Sequence, residues 1–96
     1  MSEPIYPDSD LTGKIIGCAI EVHTHLGNGF QEVIYQRALA FEFRRQAVGY
    51  IREPEIEIYY KQDLIGSRRV DFMIEDKIVV EIKALLILEP VHLAKL

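Results

Sequence analysis

A chain of 96 residues, 49% apolar and 27% charged, has the size and make-up of one ordinary globular domain and not of a disordered segment. Its net charge of −4 excludes a protein that holds nucleic acid by bulk electrostatics alone, so contact with a polyanion needs a local basic cluster or a bound metal. The single Cys18 excludes an intrachain disulfide and fits a reducing, cytoplasmic setting, and the longest apolar run is far too short to span a bilayer.

Residues 1–10 contain Pro4, Pro7 and several acids, without the basic start or apolar stretch of a signal peptide. They read as a flexible N-terminal segment ahead of a single domain over 11–96. Ser9 or Asp10 can cap a helix from about Leu11 to Leu26, where Leu11, Ile15, Cys18, Ala19, Val22 and Leu26 recur at helical spacing. Gly27-Asn28-Gly29 should end it, because these residues tolerate the left-handed conformation of a helix stop. As a phosphate loop this stretch lacks both the full glycine pattern and a preceding strand.

A second helix is expected from about Phe30 to Ala47. Glu32 shares one stripe with Tyr35, Gln36, Leu39 and Phe43. A carboxylate there is off the solvated face, although the helix macrodipole alone also favours an acid at a helix start. Gly49 closes this helix and Pro54 opens the first strand, in which Ile56, Ile58 and Tyr60 alternate with Glu55, Glu57 and Tyr59. A turn at Lys61-Gln62-Asp63 leads into a second strand, Leu64 to Ile74, and Ile78 to about Leu85 forms a third. Glu89-Pro90 looks like a helix start.

The stretch from Arg68 to Lys83 carries the chemistry. Val70, Phe72, Ile74, Ile78, Val80 and Ile82 are apolar, whereas Asp71, Glu75, Lys77, Glu81 and Lys83 fall on the alternate positions. Opposed residues of an antiparallel pair share a face, so the apolar sets must oppose one another. The tightest solution pairs Ile74 with Ile78 around a Glu75-Asp76-Lys77 loop and Phe72 with Val80. Asp71 then stands opposite Glu81, with Lys83 one step further on that face. Two like charges so placed are destabilising unless something lies between them, most simply a divalent cation. His23 and His25 are two residues apart on a helix and cannot share a metal. No Ser-His-Asp or Cys-His arrangement suggests nucleophilic catalysis.

Asp71, nine residues and then Glu81-Ile82-Lys83 resembles the Asp…Glu-x-Lys signature of the PD-(D/E)XK nuclease superfamily. Gly29-Phe30-Gln31-Glu32-Val33-Ile34-Tyr35 resembles the Gly-x-x-Glu-x-x-Tyr pattern of the GxxExxY family within it, supported by Ile20-Glu21-Val22-His23, Leu26-Gly27 and Pro90-Val91-His92. The similarity runs from about Leu11 to Lys95. It implies an α+β fold, two N-terminal helices packed on a three-stranded antiparallel meander, as a truncated restriction-endonuclease-like core. It further implies a metal-dependent nuclease acting on DNA or RNA, with Mg²⁺ or Mn²⁺ held by Asp71, Glu81 and the Ile82 carbonyl. Glu32 would be the assisting helix carboxylate, and Lys83 would orient water or stabilise charge on the phosphate. Arg68, Arg69 and Tyr35 are the candidate substrate contacts. The other class left open is a catalytically silent nuclease-like module for nucleic-acid binding or protein interaction. Because the superfamily core continues past the point where this chain stops, the third strand is expected at a sheet edge. A homo-oligomer, most simply a dimer, would cover it.

Overall fold

The computed structural model describes residues 9–83 and 86–95. The flexible segment expected over 1–10 therefore lies mostly outside the described residues, as do Ala84 and Leu85 at the predicted end of the third strand. Helix α1 (Ser9–Leu26) buries Ile15, Cys18 and Val22, the centre of the apolar stripe. It stops where Gly27 takes a φ of 66° and its N–H donates to the His23 carbonyl at 2.8 Å. Helix α2 (Glu32–Arg45) buries Gln36, Leu39, Ala40 and Phe43. The strands are β1 (Tyr50–Arg52), β2 (Glu55–Tyr60), β3 (Asp63–Arg69), β4 (Phe72–Ile74), β5 (Ile78–Ile82) and β6 (Leu86–Pro90), and a short α3 (Val91–Ala94) follows. No helix among the described residues is long and apolar enough to cross a membrane.

The α+β character is as expected, but the three-stranded meander is not. There are two sheets, a four-stranded one in the order β1-β4-β5-β6 and a two-stranded ribbon of β2 and β3. One long hairpin explains the difference. Residues 50–58 pair with 66–74 in one unbroken register, from Tyr50↔Ile74 through Arg52↔Phe72 to Glu55↔Arg69 and Ile58↔Gly66. The hairpin bends in both arms at the same level, at Glu53-Pro54 and Val70-Asp71. Glu53 has a φ of 54°, and Pro54 can offer no N–H to a continuous ladder. Backbone bonds nonetheless cross the corner, from Glu53 N–H to the Asp71 carbonyl at 2.9 Å and from Val70 N–H to that of Pro54 at 3.2 Å. The predicted single strand from Leu64 to Ile74 is thereby cut into β3 and β4.

The register predicted for the following hairpin is the one observed: Ile74↔Ile78, Met73↔Val79 and Phe72↔Val80. Glu75 and Asp76 turn the chain at positive φ, 51° and 58°, as primed hairpin turns demand. Ile74, Phe72, Ile78 and Val80 join Ile15, Val22, Leu39 and Phe43 in the main core between sheet and helices. Phe43, Tyr50 and Phe72 meet there edge-on or tilted, at centroid distances of 5.1–5.8 Å. Val79 points the other way, into a smaller cluster with Ile56 and Val70 from the folded-over ribbon. Both faces of β5 are thus covered, so Ile78, Val79 and Val80 are all buried.

The expectation of an exposed third strand fails for the same reason. β6 pairs antiparallel with β5 along its whole length, from Ile78↔Pro90 to Ile82↔Leu86. The apolar run after Lys83 supplies a strand that satisfies the outer N–H and C=O groups of β5, which is therefore internal. The argument for a dimer through β5 falls with it.

Candidate active site

The corner of the long hairpin places Asp71 immediately before β4, one step beyond the Phe72↔Val80 pair and so beside Glu81 on the neighbouring strand. The Asp71 carboxylate sits at the end of the ladder. Its Oδ2 accepts from the Ile82 backbone N–H at 2.7 Å, and its Oδ1 accepts from Gln36 Nε2 at 3.0 Å. Gln36, only 4% exposed, is fixed in turn by Arg52, whose Nε and Nη2 donate to the amide oxygen at 3.0 and 2.7 Å. An amide held at both ends has one orientation available, so Asp71 is aimed by a relay from β1 through α2.

Glu81 is held from elsewhere. Arg68 of β3 donates to its Oε1 at 3.0 Å and to Glu89 of β6 at 3.4 Å, all three being partly buried. The guanidinium occupies the Glu81 carboxylate from the ribbon side. The two carboxylates are thus engaged by an N–H, an amide and an arginine. Among the described residues no group of three or more His, Cys, Asp or Glu side chains is placed to hold a metal. Asp71 and Glu81 are hard oxygen donors on neighbouring segments, the first turned to Gln36 of α2 and the second to Arg68 of β3. That donor set suits Mg²⁺, which takes one or two protein carboxylates and completes its shell with water and phosphate oxygens.

Glu32 is the first residue of α2 and is exposed. The α2 side chain that touches Asp71 is Gln36, one turn further along the same stripe. Lys83 is exposed just past β5 and lines, with Ile82, a cleft of about 820 Å³ walled mainly by Ile16, Ala19, Phe30 and Leu88. Tyr35 is engaged in the α1–α2 turn, its hydroxyl donating to the Gly27 carbonyl at 2.7 Å and accepting from Phe30 N–H at 3.2 Å. Arg69 is exposed beside Glu55 at 3.8 Å. Away from the site, burial and then the nearby Glu42 push the Cys18 thiol above its ordinary range, which keeps it protonated and unreactive.

Sequence reasoning passed over Gln36 and Arg52. Gln36 carried a signal, an amide on a stripe otherwise aromatic and aliphatic; Arg52 carried none, since only the long hairpin brings β1 alongside β4.

Over residues 9–96 the chain matches the PD-(D/E)XK nuclease superfamily. It belongs to that superfamily. Comparison with curated proteins and with solved structures gave no match. The superfamily is nuclease-like, and its nucleases generally use divalent metals. In this superfamily member Asp71 precedes β4, Glu81 lies on β5 and Lys83 follows β5.

Proposed function

We propose that this protein is a metal-dependent nuclease of the GxxExxY type, hydrolysing phosphodiester bonds of DNA or RNA at Asp71, Glu81 and Lys83. The observation that supports the reading is the register of β4 on β5, in which one step beyond Phe72↔Val80 Asp71 would face Glu81, with Lys83 two residues on, in a chain of this superfamily. Asp71, Glu81 and the Ile82 carbonyl would hold Mg²⁺ or Mn²⁺. When bound, that ion supplies charge neutralisation at the phosphodiester and a more acidic water. Gln36 and the Ile82 N–H keep the Asp71 carboxylate in place. Lys83 orients the water or carries charge on the phosphate, and Arg68 or Arg69 contacts the backbone phosphates. For Arg68 this requires release from Glu81, which a cation between the carboxylates would bring about by competing for the same oxygen.

A second reading, a nuclease-like module without turnover, is favoured by one observation: Arg68 already pairs with Glu81 at 3.0 Å. Calorimetry with Mn²⁺, together with a nuclease assay on single- and double-stranded DNA and RNA, separates the two. Asp71→Asn and Glu81→Gln should abolish both metal binding and cleavage. Lys83→Ala should keep metal binding and lose cleavage. Unchanged Mn²⁺ affinity in both carboxylate variants would establish the silent module instead.

A further inference from the structure

Helix α1 has a second side that the core does not use. Ile15, Cys18 and Val22 are buried, whereas Ile16 and Ile20 are 45% and 60% exposed. With His23 they follow the i, i+4, i+7 spacing of one helix face. These three line the cleft of about 820 Å³ that Lys83 also lines, and Asn28 and Phe30 of the α1–α2 turn contribute to it too. Its size is that of a small-molecule site, about 300–1,000 Å³. Phe30 meets the Tyr35 ring edge-on and is still 51% exposed, which leaves ring surface open for stacking. In a chain of net charge −4, no Asp or Glu is among the described residues that line the cleft, whereas Lys83 and His23 are. Ile82 connects the cleft to the candidate site: it lines the cleft, and its N–H is the one that Asp71 Oδ2 accepts at 2.7 Å.

Apolar walls, an open aromatic ring, a cation and no acid suit a base attached to a phosphate. We propose that the cleft takes an unpaired nucleobase of the strand whose phosphate lies at Lys83, and so selects single-stranded over duplex nucleic acid. The inference rests on the proposed nuclease site for the position of that phosphate. One sugar separates a phosphate from its base, so a phosphate held at Lys83 brings a base to the mouth of the cleft. In a duplex that base is stacked and paired, and it reaches the cleft only after being unstacked and unpaired. Phe30, Ile16 and Ile20 offer stacking and apolar contact that any base can use, so the discrimination is by strandedness and not by sequence.

Fluorescence anisotropy in EDTA, which stops a metal-dependent cleavage, tests this. The probes are labelled oligothymidylate and oligouridylate, the same strands annealed to their complements, and an abasic strand of equal length. At least one single strand should bind about tenfold or more tightly than its duplex and than the abasic strand. Phe30→Ala and Ile20→Asp should each remove that preference, and Phe30→Trp should keep it. Both positions are exposed, so circular dichroism should show each variant folded. Equal binding of single, duplex and abasic strands, or a preference that survives both Phe30→Ala and Ile20→Asp, would overturn the proposal. So would the absence of any binding, and self-association lost in Ile20→Asp would then assign the cleft to a second copy. The two readings fail separately. Cleavage of single and double strands at equal rates in Mn²⁺ sinks the cleft and leaves the nuclease. Strand binding that depends on Phe30, without cleavage by the unmodified chain, supports the cleft and sinks the nuclease.

Discussion

At the scale of single residues, two side chains outside the Asp…Glu-x-Lys motif set the state of the site. Gln36 is buried and bonded on both sides, so Gln36→Leu leaves Asp71 and Arg52 each short of a partner. A loss of about 1–3 kcal/mol in urea unfolding is expected. If Asp71 binds metal, Mn²⁺ affinity in calorimetry should fall as well, because the carboxylate is no longer aimed. Arg68 acts in the opposite sense on Glu81. Arg68→Gln removes a cation that competes for that carboxylate, so Mn²⁺ affinity should rise. The pair is partly exposed, so unfolding should shift by no more than about 1 kcal/mol. Cleavage by this variant should nonetheless drop if Arg68 also contacts phosphate, and a calorimetric gain with a catalytic loss would separate the two roles.

At the scale of elements, the α1–α2 turn is a clasp. Gly29 adopts a φ of 105°, a region costly to residues with a Cβ, and Tyr35 ties the end of α1 to the start of α2 through one hydroxyl. Its ring also meets Phe30 edge-on at 6.2 Å. Tyr35→Phe keeps the ring and removes the hydroxyl, so it should cost about 1 kcal/mol in chemical denaturation. If Tyr35 serves only the turn, Mn²⁺ affinity and cleavage per folded molecule should not change. A selective loss of cleavage would instead return Tyr35 to the substrate contacts.

At the scale of the whole molecule, stability is concentrated where two layers cover β4 and β5. Phe72 is fully buried among Phe43, Tyr50 and the helices, whereas Leu64 on the ribbon is mostly exposed. Phe72→Ala should therefore cost about 3–5 kcal/mol. Leu64→Ala, measured by thermal unfolding at low protein concentration, should change stability by no more than about 0.5 kcal/mol. A large loss from Leu64→Ala would show that the ribbon is packed against the body and is not an open edge.

The sequence by itself determined the two helices, the turn between them and the pairing of Ile74 with Ile78. Each rests on local periodicity, on glycines able to take positive φ, and on the rule that opposed strand residues share a face. Superfamily membership was legible in the same local way, since Asp71 and Glu81-Ile82-Lys83 keep the spacing of the motif in the chain. What only the tertiary structure decided was non-local. The bend at Glu53-Pro54 and Val70-Asp71 depends on both arms of one hairpin yielding at the same level, which neither arm announces. β6 exists because the outer groups of β5 needed partners, and its apolar run alone does not say where it goes. The hold on Asp71 by Gln36 and Arg52 requires α2 and β1 to meet at the end of β5, a contact set by packing of the shared core.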